Sequence, residues 1–191
     1  MPIPLGILAA AGSRPAETAT FQLLESTVLT STQASIEFTN LTTKYAATYQ
    51  HLQLRATIRG ITGGGGLRMF LMQFNGDTAA NYMSHLLYSD GPGSINDGTK
   101  TSMWWSYGAN NGSPTGAFGA VVTDILDPFE TTKNKTIRTM GGGPNGYNMV
   151  NLVSGHWRNT NSVTSITLTA QGGDSYDIGT RVSLYGIKAT A

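Results

Sequence analysis

The segment Gln50-His51-Leu52-Gln53-Leu54-Arg55-Ala56-Thr57-Ile58-Arg59 alternates without a break. Leu52, Leu54, Ala56 and Ile58 fall on one side of an extended chain, and His51, Gln53, Arg55, Thr57 and Arg59 fall on the other. Successive side chains of a strand point to opposite faces, so the pattern predicts a strand with one face in a core and one in water. A helix would scatter the same apolar residues around its circumference.

The same alternation recurs toward the C-terminus. Val163, Ser165, Thr167 and Thr169 oppose Thr164, Ile166, Leu168 and Ala170, and Val182, Leu184 and Gly186 oppose Ser183, Tyr185 and Ile187. These are predicted to be sheet members with both faces partly covered. From Phe21 onward, short runs of Val, Ile, Leu, Tyr and Thr are punctuated by Gly, Asn, Asp and Pro, the pattern of a sandwich or barrel. Strands are predicted over residues 21–29, 34–38, 50–61, 67–75, 81–88, 101–108, 118–126, 135–140, 147–157, 163–169 and 181–187. The turn-rich residues 90–100 and 109–116 read as longer loops. No long helical period, heptad or internal repeat interrupts the series.

Three local motifs carry backbone predictions. Gly63 to Gly66 reads as a mobile hairpin loop, because each glycine is free to visit positive φ. Phe74-Asn75-Gly76-Asp77 ends a predicted strand on Asn-Gly, the strongest short hairpin signal. Gly186, inside the last strand, marks a place where another backbone approaches closely.

At 191 residues the chain is sized for one well-buried domain. Residues 1–20 read as an extended apolar arm and linker, and residues 21–191 as a single β domain. Only 12% of the residues are charged, so solubility rests on neutral polar groups. The 12 basic and 11 acidic side chains nearly cancel and form no cluster dense enough to track phosphates, which argues against nucleic acid as a partner. With no cysteine, disulfides and thiolate metal sites are excluded. The opening run Met1 to Gly12 lacks a basic start and carries Pro2 and Pro4 where a helix would begin, unlike a signal peptide. At about a dozen residues it is also far short of the roughly 20 needed to span a bilayer.

Candidate chemistry is sparse. The glycines before Leu67-Arg68-Met69 lack the lysine and helix of a phosphate loop. No nucleophile elbow is present, and His51, His85 and His156 fall in or at the ends of predicted strands, as structural histidines do. Asp77, Asp90, Asp97, Asp124, Asp127, Asp174 and Asp177 could in principle pair for glycoside hydrolysis. Most flank Gly, Asn or Pro, where Asp bonds its own backbone, and are read as turn residues. Asp174 and Asp177 lack the spacing and terminal Glu of a calcium loop. No catalytic residue, cofactor or metal is therefore expected.

Two features point instead to binding. Trp104 and Trp105 are adjacent in one predicted strand, so one should face the core and the other the outside. Together with Trp157 they are candidate interface residues, since aromatics are enriched at binding hot spots. The arm supplies Pro2, Ile3, Pro4, Leu5, Ile7 and Leu8, too few to fold alone and held extended by proline, and is expected to be buried on a partner.

The chain resembles a group of tailed-bacteriophage structural proteins described as decoration, tail or fibre proteins. The resemblance runs over about residues 21 to 188. It is carried by Phe21-Gln22-Leu23-Leu24 with Val28-Leu29, Ala34-Ser35-Ile36-Glu37-Phe38, Tyr49 with Leu52-Gln53-Leu54-Arg55, and Phe74-Asn75-Gly76-Asp77 with Asn81-Tyr82. It continues through Asn134-Lys135-Thr136, Gly155-His156-Trp157-Arg158, Ile166-Thr167-Leu168 and Ser183-Leu184-Tyr185-Gly186-Ile187. It implies an all-β, jelly-roll-like antiparallel sandwich and a place in the virion, assembled in the host bacterial cytoplasm. The expected role is that of a capsid decoration or cement protein, bound to the major capsid protein through its arm and through contacts between copies. A homo-oligomer, a trimer among the options, is expected from the prevalence of closed cyclic symmetry. The alternatives are a tail, baseplate or fibre component with a receptor- or glycan-binding surface, and a secreted lectin or glycan-active enzyme.

Overall fold

A computed structural model describes residues 20–62, 67–88, 94–143 and 149–188, with the backbone alone for 94–99. The strands are β1 (Phe21–Val28), β2 (Ser35–Phe38), β3 (His51–Ile58), β4 (Leu67–Phe74), β5 (Tyr82–Tyr88) and β6 (Ser94–Lys100). They continue as β7 (Met103–Ala109), β8 (Gly119–Leu126), β9 (Lys135–Gly143), β10 (Met149–Trp157), β11 (Ile166–Ala170) and β12 (Arg181–Ile187). One short helix, α1 (Leu41–Tyr45), lies between β2 and β3.

The pairing is nested. β1 pairs with β12, β2 with β11, β3 with β8 and β4 with β7, all antiparallel. The chain thus folds back on itself as one long hairpin, and rolling that hairpin makes a jelly roll. The roll closes where β12 pairs with β3 and β11 with β4. Two inserted hairpins, β5 with β6 and β9 with β10, extend one side only. The result is an eight-stranded sheet, β1-β12-β3-β8-β9-β10-β5-β6, packed on a four-stranded sheet, β2-β11-β4-β7.

Alternation decides what lies between the sheets. Leu52, Leu54 and Ile58 of β3 have no exposed surface, and neither do Phe70, Met72 and Phe74 of β4. The far end of the large sheet bends past the β7 edge. There Leu86 and Val153 pack with Met69, Leu71, Trp104 and Tyr107, and the Trp104 N–H donates to Ser84 Oγ at 2.9 Å. This bend covers a sheet edge that would otherwise be open to another chain.

Several local expectations need correction. Residues 94–100, read as loop, form β6, held by backbone pairing to β5. Residues 41–45, which fall between two predicted strands, make a helical turn around the fully buried Leu41. Asn75 and Gly76 have the positive φ of a tight turn, and the Asp77 N–H donates to the Phe74 carbonyl, but the strands they join lie in different sheets. They make a corner between layers rather than a hairpin. Residues 63–66 lie outside the described residues, and the strands on either side, β3 and β4, again belong to different sheets. At Gly186 the close neighbour is the Tyr49 ring rather than a backbone: a Cβ there would sit 2.4 Å from the ring.

Candidate functional site

The most unusual surface is the outer face of the large sheet. The core-facing residues of β9 and β10 are buried, as alternation requires, yet outward residues where the C-terminal half of β9 meets the N-terminal half of β10 are also apolar. Met140 is 59% exposed, Val150 55%, Leu152 45% and, on β5, Leu87 53%. Register aligns them: Leu87 lies opposite Leu152, Leu152 opposite Met140, and Met140 opposite Val122. Four strands thus present one continuous apolar row. Contiguous exposed apolar surface is uncommon, whereas single exposed leucines are ordinary.

Beside that row the surface dips. The adjacent register line is Arg181, Thr57, Ala120, Gly142 and Val150, whose central members are small. With Val122 and Met140 as one wall, it forms a furrow of about 540 Å³ across the strands. Arg55 stands at one end, its guanidinium 4.7 Å from the Phe21 ring centroid and 5.2 Å from that of Tyr185. The two rings stack at 4.7 Å. The furrow is therefore apolar from β8 to β10, with Arg55 and Arg181 toward its β12 end.

The adjacent tryptophans face opposite sides of β7, as alternation predicts, with Trp105 inward and Trp104 outward. Trp105 is fully buried and its indole N–H donates to Thr123 Oγ1 at 2.7 Å. Trp157 is 1% exposed, packs edge-on against Phe74, and donates to Asp77 Oδ2 at 2.7 Å. Both are enclosed by their own chain and are not interface residues. Trp104, on the opposite face of β7, keeps part of its surface but is largely covered by the bend at β5. The arm residues Pro2, Ile3, Pro4, Leu5, Ile7 and Leu8 lie outside the described residues.

The charged side chains mostly tie loops together. Asp174, read as a surface turn acid, is instead completely buried; it accepts from the Thr62 hydroxyl and from the Ser175 N–H, and pairs with Arg68 Nε at 2.8 Å. Burial pushes its carboxyl up, but the bonds from Thr62 and Ser175 and the Arg68 charge outweigh this and leave it below the ordinary range. Asp177 pairs with Arg59 at 3.2 Å. At Asp77 burial also raises the carboxyl, and donation from Asn81, Trp157 and the Ala79 N–H brings it below its usual value. Lys135 is enclosed and donates to the carbonyls of Glu130, Lys133 and Thr160, so one ammonium gathers three loop acceptors.

A second, polar cleft of about 530 Å³ is lined by Tyr49, Gln50, Asp127, Phe129, Glu130 and Lys133. Its central carboxylate, Asp127, accepts from Lys133 at 2.8 Å and from Gln50 at 3.1 Å, and the Asp127 N–H donates to His51 Nδ1. The Lys133 hydrogen bond above all holds its carboxyl low. Asp127 is thus occupied in bracing the loop. His85 is exposed on the outer face of β5, and His156 is half-buried on that of β10. Among the described residues no group of three or more His, Asp and Glu side chains could hold a metal ion, and no helix is long and apolar enough to cross a membrane.

Sequence reasoning missed the apolar row. Its one local trace is Met149-Val150-Asn151-Leu152-Val153, which is apolar in both phases of the strand period. Comparison of the chain with family models, curated proteins and solved structures gives no match.

Proposed function

We propose that this protein is a bacteriophage virion component that works by binding: a decoration or cement subunit that attaches to the major capsid protein and to copies of itself. The observation that supports the reading is the row Leu87, Leu152, Met140 and Val122, laid in register over four strands with three of its members about half exposed. A surface of that kind serves contact with another chain. Many modest contacts acting together then supply the hold that a particle under internal pressure needs.

The test is made on purified particles. Quantitative mass spectrometry should find the protein at a copy number comparable with the major capsid protein, and cryo-electron microscopy should place it on the head. A handful of copies at the tail tip would move it to the tail, baseplate or fibre role. Absence from particles, with glycan binding or cleavage by the purified protein, would replace the reading with that of a lectin or glycan-active enzyme.

A further inference from the structure

We infer that the furrow across the large sheet is the seat for residues Pro2–Leu8 of a neighbouring copy of this chain. The inference rests on reading the protein as a subunit that associates with itself, and it names the contact.

The two surfaces match in chemistry. The furrow has a floor of Thr57, Ala120 and Gly142, a wall of Val122 and Met140, and Val150 at one end. No charged side chain occurs between Met1 and Ser13, and Ile3, Leu5 and Ile7 share one side of the chain when it is extended. Those three side chains can lie along the small-residue floor, against Val122 and Met140. Arg181 stands at the β12 end, and Arg55 continues the wall of Val122 and Met140 onto β3.

They match in length as well. From β12 to β10 the furrow crosses four strand spacings, about 19 Å at roughly 4.8 Å each. Seven extended residues, Pro2 to Leu8, cover about 20 Å at roughly 3.3 Å per step. Pro2 and Pro4 have no N–H to give, and in an extended chain both gaps fall on the same edge. The opposite edge of such a chain keeps the N–H groups of Ile3, Leu5 and Ile7, so the segment could pair along one side only.

β1 begins at Phe21, whose ring lies against Arg55 at the furrow's mouth, so the chain before Phe21 starts near the furrow in either copy. A neighbour's segment is chosen on the reading of self-association, and the double-cysteine chain below separates it from the protein's own.

The absence of cysteine makes the test clean. One full-length variant carries Leu5→Cys and a second carries Met140→Cys, a position more than half exposed and tolerant of change. The two are mixed, oxidised mildly and digested, and disulfide-linked peptides are measured by mass spectrometry. A parallel mixture replaces the second variant with Glu37→Cys, exposed on the outer face of the small sheet. Docking raises the local thiol concentration, so the link between positions 5 and 140 should exceed that between 5 and 37 by roughly tenfold or more. Equal yields would overturn the proposal. So would a chain carrying both Leu5→Cys and Met140→Cys that closes only upon itself. The pair Ile7→Cys and Val150→Cys repeats the measurement should Met140→Cys fold poorly. The cross-link is read on purified protein, so its failure counts against the docking, while the copy number in particles judges the virion role separately.

Discussion

The two outer faces of the sandwich are built the same way and differ in chemistry. On the small sheet, one register line across three strands reads Glu37, Thr167 and Gln73. On the large sheet, a comparable line reads Leu87, Leu152, Met140 and Val122. Both lines point away from the same core, so the fold alone gives no reason for them to differ. A polar line costs nothing in water, whereas an apolar line forgoes about 25 cal/mol for each Å² left uncovered. On the proposed reading, the contrast assigns association to the large sheet's outer face.

The largest expected effect removes both faces at once. Trp105→Ala should lower folding stability by about 3 to 5 kcal/mol, because its ring fills the space between the sheets and its N–H is paired with Thr123. Urea unfolding followed by circular dichroism measures this directly. A loss below 1 kcal/mol, on the order of a surface change, would mean that the two faces do not share one core.

Next comes the tie behind the small sheet. Asp174→Ala leaves Arg68 without its partner, and since Arg68 is partly solvated the cost should be about 2 to 3 kcal/mol, somewhat under that of a fully buried pair. Acid has a related effect. The folded carboxyl titrates below its unfolded value, so its contribution is complete above the ordinary aspartate range and is lost as pH falls through the depressed folded value. Thermal melts from neutral to acid pH should therefore show a steeper decline for the natural chain than for Asp174→Asn. Parallel declines would remove Asp174 from the account.

Smaller again is Trp104→Ala, at about 1 to 2 kcal/mol, because its ring is only partly covered by the bend at β5. A cost equal to that of Trp105→Ala would show that the bend is as much a core as the space between the sheets.

The sequence made some of this legible and hid the rest for physical reasons. Gln50 to Arg59 announced β3 because one side of the strand is dry and the other wet. β6 was not legible, since Ser94-Ile95-Asn96-Asp97-Gly98-Thr99-Lys100 carries turn residues, and its extension comes from backbone pairing with β5. The helix at Leu41 escaped notice because it is a single turn rich in threonine. The nested pairing of β1 with β12 brings residues from the two ends of the described chain together, and no local pattern encodes such a partner. The candidate site was hidden for the same reason: Leu87, Val122, Met140 and Leu152 are far apart along the chain and become one surface only through register. The tryptophans drew attention because they are large, and two of the three proved to be core.

The central claim, that the apolar row is where other chains bind, is tested most directly by sedimentation velocity of the full-length protein and of Leu152→Asp. Leu152 is outward and about half exposed, so the substitution should change folding stability by no more than about 0.5 kcal/mol. The natural chain should sediment as oligomers that grow with concentration, and Leu152→Asp as a monomer with the same melting temperature. Identical oligomers from both proteins, or a natural chain that stays monomeric throughout, would contradict the account.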